Sequence, residues 1–84
     1  MNSLAFDSDQ GSIGVLICGH GSRNRFAVKE FAELVAVIKS RLPDTPVEYG
    51  YLEFASPTLR QALDRLREQS VNKVLAVPAM FLAL

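Results

Sequence analysis

Two hydrophobic periodicities alternate along this chain, and their alternation constrains the fold more than any other feature of the sequence. Ile13 to Cys18 is a short apolar run rich in β-branched residues and closed by Gly19, which predicts a buried strand. The period then changes. Val28, Phe31, Val35, Ile38 and Leu42 fall on one face of a helix that starts at Asn24 or beside it and stops at Pro43. Asp44-Thr45-Pro46 makes a turn, and Val47 to Leu52 returns to strand character. Ser56-Pro57 reads as an N-cap with proline in the first turn. Leu59, Ala62, Leu63 and Leu66 form the apolar stripe of the second helix, with Arg60, Asp64, Arg65, Arg67 and Glu68 around it. Lys73 to Pro78 is the third strand.

A β-α-β-α-β order predicts a parallel sheet joined by right-handed crossovers. The expected strand order is 2-1-3, with a helix on each face. In such sheets ligands bind beyond the carboxyl ends of the strands, where the order reverses. That crevice is expected between strands one and three. The loop Gly19-His20-Gly21-Ser22-Arg23-Asn24 borders it, Glu53 lies on the same edge, and the segment after Pro78 arrives there.

Composition bounds the function. Eighty-four residues make one small domain, too short to cover a parallel sheet thickly, so a homo-oligomer is expected. Nine basic and nine acidic residues cancel, which leaves no basic stripe for nucleic acid and no polybasic membrane anchor. The apolar run from Val74 to Leu84 is about half of a membrane span. Residues 1–12 carry Asp7 and Asp9 without Lys or Arg and read as a flexible tail rather than a secretory leader. The single cysteine, Cys18, suits a reducing compartment, and a cytoplasmic location is expected.

The turn after strand one fails several phosphate motifs. A dinucleotide loop wants a third glycine where Asn24 stands, and Glu53 comes too late for its acidic partner. There is no Gly-Lys-Ser/Thr for a P-loop. Cys18 and Arg23 are too close for a cysteine-phosphatase loop, and Gly19, not arginine, precedes His20. What remains is the chain's only histidine held between two glycines, open to a flat or bulky ligand. A neutral imidazole ligates borderline divalent metals and accepts protons near neutral pH. Glu53 offers a carboxylate from the same edge.

Three stretches carry a resemblance. Val15-Leu16-Ile17-Cys18-Gly19-His20-Gly21-Ser22-Arg23, then Tyr51-Leu52-Glu53-Phe54-Ala55-Ser56-Pro57, then Val77-Pro78-Ala79-Met80-Phe81-Leu82 resemble, in order and spacing, the sirohydrochlorin cobaltochelatases, the small class II chelatases. The resemblance spans Gly14 to Leu82. It implies a flavodoxin-like three-layer α/β fold over residues 13–84. It also implies insertion of a divalent metal into a sirohydrochlorin-type tetrapyrrole, for cobalamin or sirohaem synthesis and without a nucleotide. Co²⁺ is the expected metal, with Ni²⁺ and Fe²⁺ compatible with the same ligands. His20 is implied as metal ligand and base, Glu53 as the assisting carboxylate, and Ser22 and Arg23 as contacts for substrate carboxylates. The family's exit from strand three leads on to a Gly-His pair. This chain ends at Phe81-Leu82-Ala83-Leu84 short of it, so the domain is expected to be incomplete.

Other roles stand beside these. His20 suits a hydrogen-bonded turn, Glu53 a helix cap, Ser22 an N-cap, Arg23 a solvated first-turn residue and Cys18 an inert buried thiol. Tyr49 and Tyr51 suit packing, while Phe81 and Leu82 suit a ring cleft, the core or an exposed edge. At the level of the whole chain, the alternatives are a metal- or tetrapyrrole-binding module without catalysis, and a phosphate- or nucleotide-binding flavodoxin-like domain using the amides of Gly19 to Arg23.

Overall fold

Residues 12–79 are described by a computed structural model of the chain. The elements are β1 (Ser12–Gly19), α1 (Arg25–Arg41), β2 (Val47–Tyr51), α2 (Leu59–Glu68) and β3 (Val71–Pro78). The three strands form one parallel sheet in the expected order β2-β1-β3. Residues 1–11, read as a tail, and Met80 to Leu84, including Phe81 and Leu82, lie outside the described residues.

The pleat of β1 sorts the core into two layers. Ile17, with Val15 beside it, joins Phe31 and Val35 of α1, Val47 and Tyr51 of β2, and Ala79. Leu16, with Cys18, joins Ala62 and Leu66 of α2 and Val71 of β3. Odd residues of the strand therefore meet one helix and even residues the other, because successive side chains point to opposite faces. Leu66 and Val35 are each 1% exposed. A side chain buried to that degree contributes about 1.5–3 kcal/mol. Leu66 and Val71 come so close to the sheet at Gly14 that a Cβ there would lie 2.9 Å from each.

Helix α1 begins as expected. Asn24 is its N-cap, with Oδ1 accepting from the Phe26 and Ala27 amides. Leu42, placed in its apolar stripe, is instead the C-cap and partly exposed. Helix α2 departs from the Ser56-Pro57 reading. The Tyr51 amide donates to the Pro57 carbonyl at 2.8 Å, and Thr58 bridges to Tyr51, so residues 57 and 58 are held against β2 and the helix starts later. Its N-cap is Thr58, in a capping box with Gln61: the Gln61 amide donates to Thr58 Oγ1 and the Thr58 amide to Gln61 Oε1.

Strands β1 and β3 start earlier than predicted. Ser12 pairs with Val71 and Ile13 with Lys73, so Asn72 is an extra residue in β3. Ser12 Oγ donates to the Ser70 carbonyl at 2.7 Å. β2 ends at Tyr51, one residue before the predicted Leu52. From Asn72 to Pro78 every residue of β3 is exposed, Leu75 to 58%, and β3 is an edge of the sheet.

Candidate functional site at the carboxyl edge of the sheet

The chain gathers its candidate residues by extending the parallel ladder past the strand ends. The Leu52 amide donates to the Gly19 carbonyl at 2.9 Å, and the Glu53 amide to the His20 carbonyl at 3.1 Å. On the other side of β1, the Ala79 amide donates to the Cys18 carbonyl at 2.8 Å. The segment after β3, the His20 turn and the Glu53 loop thus share one edge, as the topology predicts. The bond between residues 20 and 53 sets the imidazole and the carboxylate on adjoining backbone.

Gly21 makes that approach possible. Its φ is 92°, and a Cβ at this position would run into the Glu53 carbonyl. His20 and Glu53 are both exposed. Among the described residues neither side chain has a hydrogen bond or ion pair, so both are open to a ligand. Among the described residues, then, nothing satisfies the His20 side chain, and the α2 cap is Thr58 with Gln61 rather than Glu53. No group of three or more His, Cys, Asp or Glu placed to hold a metal occurs among the described residues. His20 can offer one imidazole lone pair and Glu53 a hard oxygen.

Ser22 and Arg23 are engaged differently from the simplest expectation. Ser22 Oγ accepts from the Asn24 amide at 3.0 Å, which braces the turn and leaves the hydroxyl hydrogen free to donate. The Arg23 guanidinium carbon stands 4.3 Å from the centroid of the Phe54 ring, a cation–π contact that joins the two loops. Cys18 is half-buried, its Sγ is 3.9 Å from the Leu16 carbonyl, and burial pushes its thiol up, which agrees with an inert role.

Two hollows flank the turn after β1, one of them lined by His20 and both by Ser22, on the α1 and β2 side rather than between strands one and three. The smaller, about 20 Å³, is bounded by His20, Gly21, Ser22, Val28, Phe31 and Tyr51. Tyr51 is its floor. The Tyr51 hydroxyl donates to the Val28 carbonyl at 3.1 Å, and its phenol is pushed up by burial and by neighbouring Tyr49. Phe31, Tyr49 and Tyr51 pack in tilted and edge-to-face contacts with ring centroids 5.3–6.1 Å apart, so the two tyrosines pack as expected while one also braces the site. The larger hollow is an open cleft of about 360 Å³ between the start of α1 and the β2–α2 loop, walled by Arg23, Arg25, Lys29 and Phe54.

Sequence reasoning gave no site role to Arg25, Lys29, Phe54 or Tyr51. The signal available for two of them is spacing: Arg25 and Lys29 are four residues apart and so share one helix face. Nothing in periodicity sets Phe54 across from it.

Comparison with known proteins follows the same ground. A sequence model of the CbiX family matches residues 14–83. A sirohydrochlorin cobaltochelatase of Methanococcoides burtonii is 38% identical over 71 residues, covering 84% of this chain and 53% of the relative. One from Methanocaldococcus jannaschii is 35% identical over 69 residues, covering 82% and 48%. A ferrochelatase of Pectobacterium atrosepticum is 46% identical over 41 residues, covering 49% of this chain and 12% of that protein. The chain spans about half the length of the sirohydrochlorin cobaltochelatases it matches. With the family match running from within β1 through the end of β3 and beyond, this chain belongs to the CbiX family.

Proposed function

We propose that this edge is a chelatase site that inserts a divalent metal, Co²⁺ first, into a sirohydrochlorin-type tetrapyrrole. The reaction needs no nucleotide, and its product feeds cobalamin or sirohaem synthesis in the cytoplasm. One observation carries the reading: an exposed imidazole without a protein partner, on a glycine-flanked turn bonded through its backbone to the loop bearing an equally unpartnered carboxylate. The names of the relatives support the substrate and the metal class, and the ferrochelatase among them supports a site chemistry that suits more than one divalent ion.

Metal insertion displaces the pyrrolic N–H protons as the ion enters the ring, so it needs a weak metal ligand and a proton acceptor close together. A single imidazole lone pair serves one of these tasks at a time. In this reading His20 holds the entering ion and Glu53 takes one of the two pyrrolic protons, or the two exchange roles, and the second proton passes to water at this exposed edge. Ser22 and Arg23 bind carboxylates at the ring's rim. The uncovered strand β3 supports a homo-oligomer, a second copy pairing along that edge.

The test is a metallation assay. Sirohydrochlorin and Co²⁺ are mixed with the chain and the ring's absorbance is followed, with His20→Ala in parallel. The expected result is a rate well above the uncatalysed one that falls by about 10²–10⁴ in the variant, the usual scale for a positioned acid–base group. A wild-type rate no faster than buffer sinks the enzyme reading.

A second reading is favoured by the single histidine of this sequence, one imidazole ligand where the chemistry wants more: a module that binds metal or tetrapyrrole without joining them. Ring binding that quenches fluorescence, with no metallation, selects it.

A further inference from the structure

We propose that the cleft between the start of α1 and the β2–α2 loop is the carboxylate-recognition subsite of the tetrapyrrole site, with Arg25 and Lys29 as its specificity-determining cations and Phe54 as its flat wall. This rests on the tetrapyrrole reading above and assigns which side chains select the ring's periphery.

The charge is local. The whole chain is neutral, yet this cleft of about 360 Å³ is lined by Arg23, Arg25 and Lys29 and by no acidic residue. The first turn of α1 carries no acidic residue. Arg67 pairs with Asp64 on α2, and among the described residues none of the three cleft cations has an ion-pair partner. Three unpaired cations in one hollow repel one another, and an anion bound among them relieves that repulsion.

The chemistry of the walls narrows the anion. Arg25 and Lys29 are one helical turn apart, so their charges project side by side. Arg23 lies against the Phe54 ring, which occupies its guanidinium face and leaves its N–H edge to grip a carboxylate. Phe54 is 55% exposed and sits at φ 71°, an unusual backbone state for a bulky aromatic residue. A compact anion has no use for that exposed ring face. A flat, apolar body with carboxylates on its rim uses both the ring and the cations. Ser22 lines this cleft and the small hollow next to His20, so a ligand seated here lies beside the metal-binding imidazole.

The test uses porphyrins as probes, titrated by fluorescence: the octacarboxylate uroporphyrin and the dicarboxylate mesoporphyrin, against wild type and Arg25→Gln/Lys29→Gln. Both replaced side chains are exposed, and an unchanged Tm verifies that the double variant is folded. Wild type is expected to bind the octacarboxylate more tightly. The double variant is expected to weaken that affinity by about tenfold, as for two exposed charge contacts, and to leave the dicarboxylate affinity unchanged. Added salt should weaken uroporphyrin binding to wild type more steeply than to the variant. If wild type binds both rings and the double variant retains the full preference, or if wild type has no preference, the subsite is wrong while the tetrapyrrole reading stands. If neither ring binds, the tetrapyrrole reading fails and the subsite with it.

Discussion

Replacing Gly21 by alanine tests the geometry on which the site depends, and its sign alone is informative. At an ordinary loop glycine with a compatible backbone, the substitution stabilises a protein by about 0.4–1 kcal/mol, because it restricts the unfolded chain. Gly21 is not compatible. Its φ of 92° disfavours any L side chain, at about 1–2 kcal/mol. The added Cβ also runs into the Glu53 carbonyl, so the two loops must part. Parting them strains the bond from the Glu53 amide to the His20 carbonyl, worth about 0.5–1.5 kcal/mol net. The expected loss is about 2–3 kcal/mol in total. With a urea m value of about 1–1.5 kcal/mol/M for a chain this small, the unfolding midpoint falls by about 2 M. Gly21→Asn separates the two contributions. Asparagine tolerates positive φ better but still carries a Cβ, so it should recover only about 1 kcal/mol. Urea denaturation followed by circular dichroism gives all three midpoints. A Gly21→Ala midpoint equal to or above that of wild type refutes the close approach of the His20 turn and the Glu53 loop.

Burial raises both the Cys18 thiol and the Tyr51 phenol above their ordinary values, so the folded chain keeps these protons after the unfolded chain has lost them. Their contribution to stability is complete below the ordinary thiol range and is lost as pH rises through it, so the urea midpoint should decline from about pH 8.5 upward; a midpoint flat or rising there contradicts the burial of both groups. Leu75→Lys places a charge on the exposed edge strand and should suppress any concentration-dependent association seen by sedimentation; association undiminished in this variant excludes β3 as the contact between copies.

The layers were legible because periodicity encodes faces. Val15 and Ile17 against Leu16 and Cys18 already divide β1 between two helices, which fits a central β1 with a helix on each face. Element starts were less legible where two local signals competed. Ser56-Pro57 has the look of a helix start, yet Pro57 is engaged by the Tyr51 amide, and the Thr58-x-x-Gln61 spacing wins because it satisfies the helix amides and the cap together. At β3 the polar Asn72 hid a pairing that begins at Val71 and absorbs that one extra residue.

The site was half legible for a related reason. His20 stood out because a lone histidine between two glycines is a local pattern, and Glu53 because it follows a strand end. Neither pattern says how the two loops meet. That is decided by backbone bonds from Leu52 and Glu53 to Gly19 and His20, which require only that both strands end at the same height. Once they do, Phe54 is carried beneath the Arg23 guanidinium, and a helix face that reads as ordinary solvated charge, Arg25 and Lys29, becomes one wall of a cleft whose other wall is aromatic. Periodicity separates the inside of a layer from its outside; it does not distinguish an outer face that meets only water from one that meets a loop. Recognition chemistry at the carboxyl edge of a parallel sheet is assembled from that second kind of face, so in this chain His20 can be picked out by spacing while the cations that would select its ligand cannot.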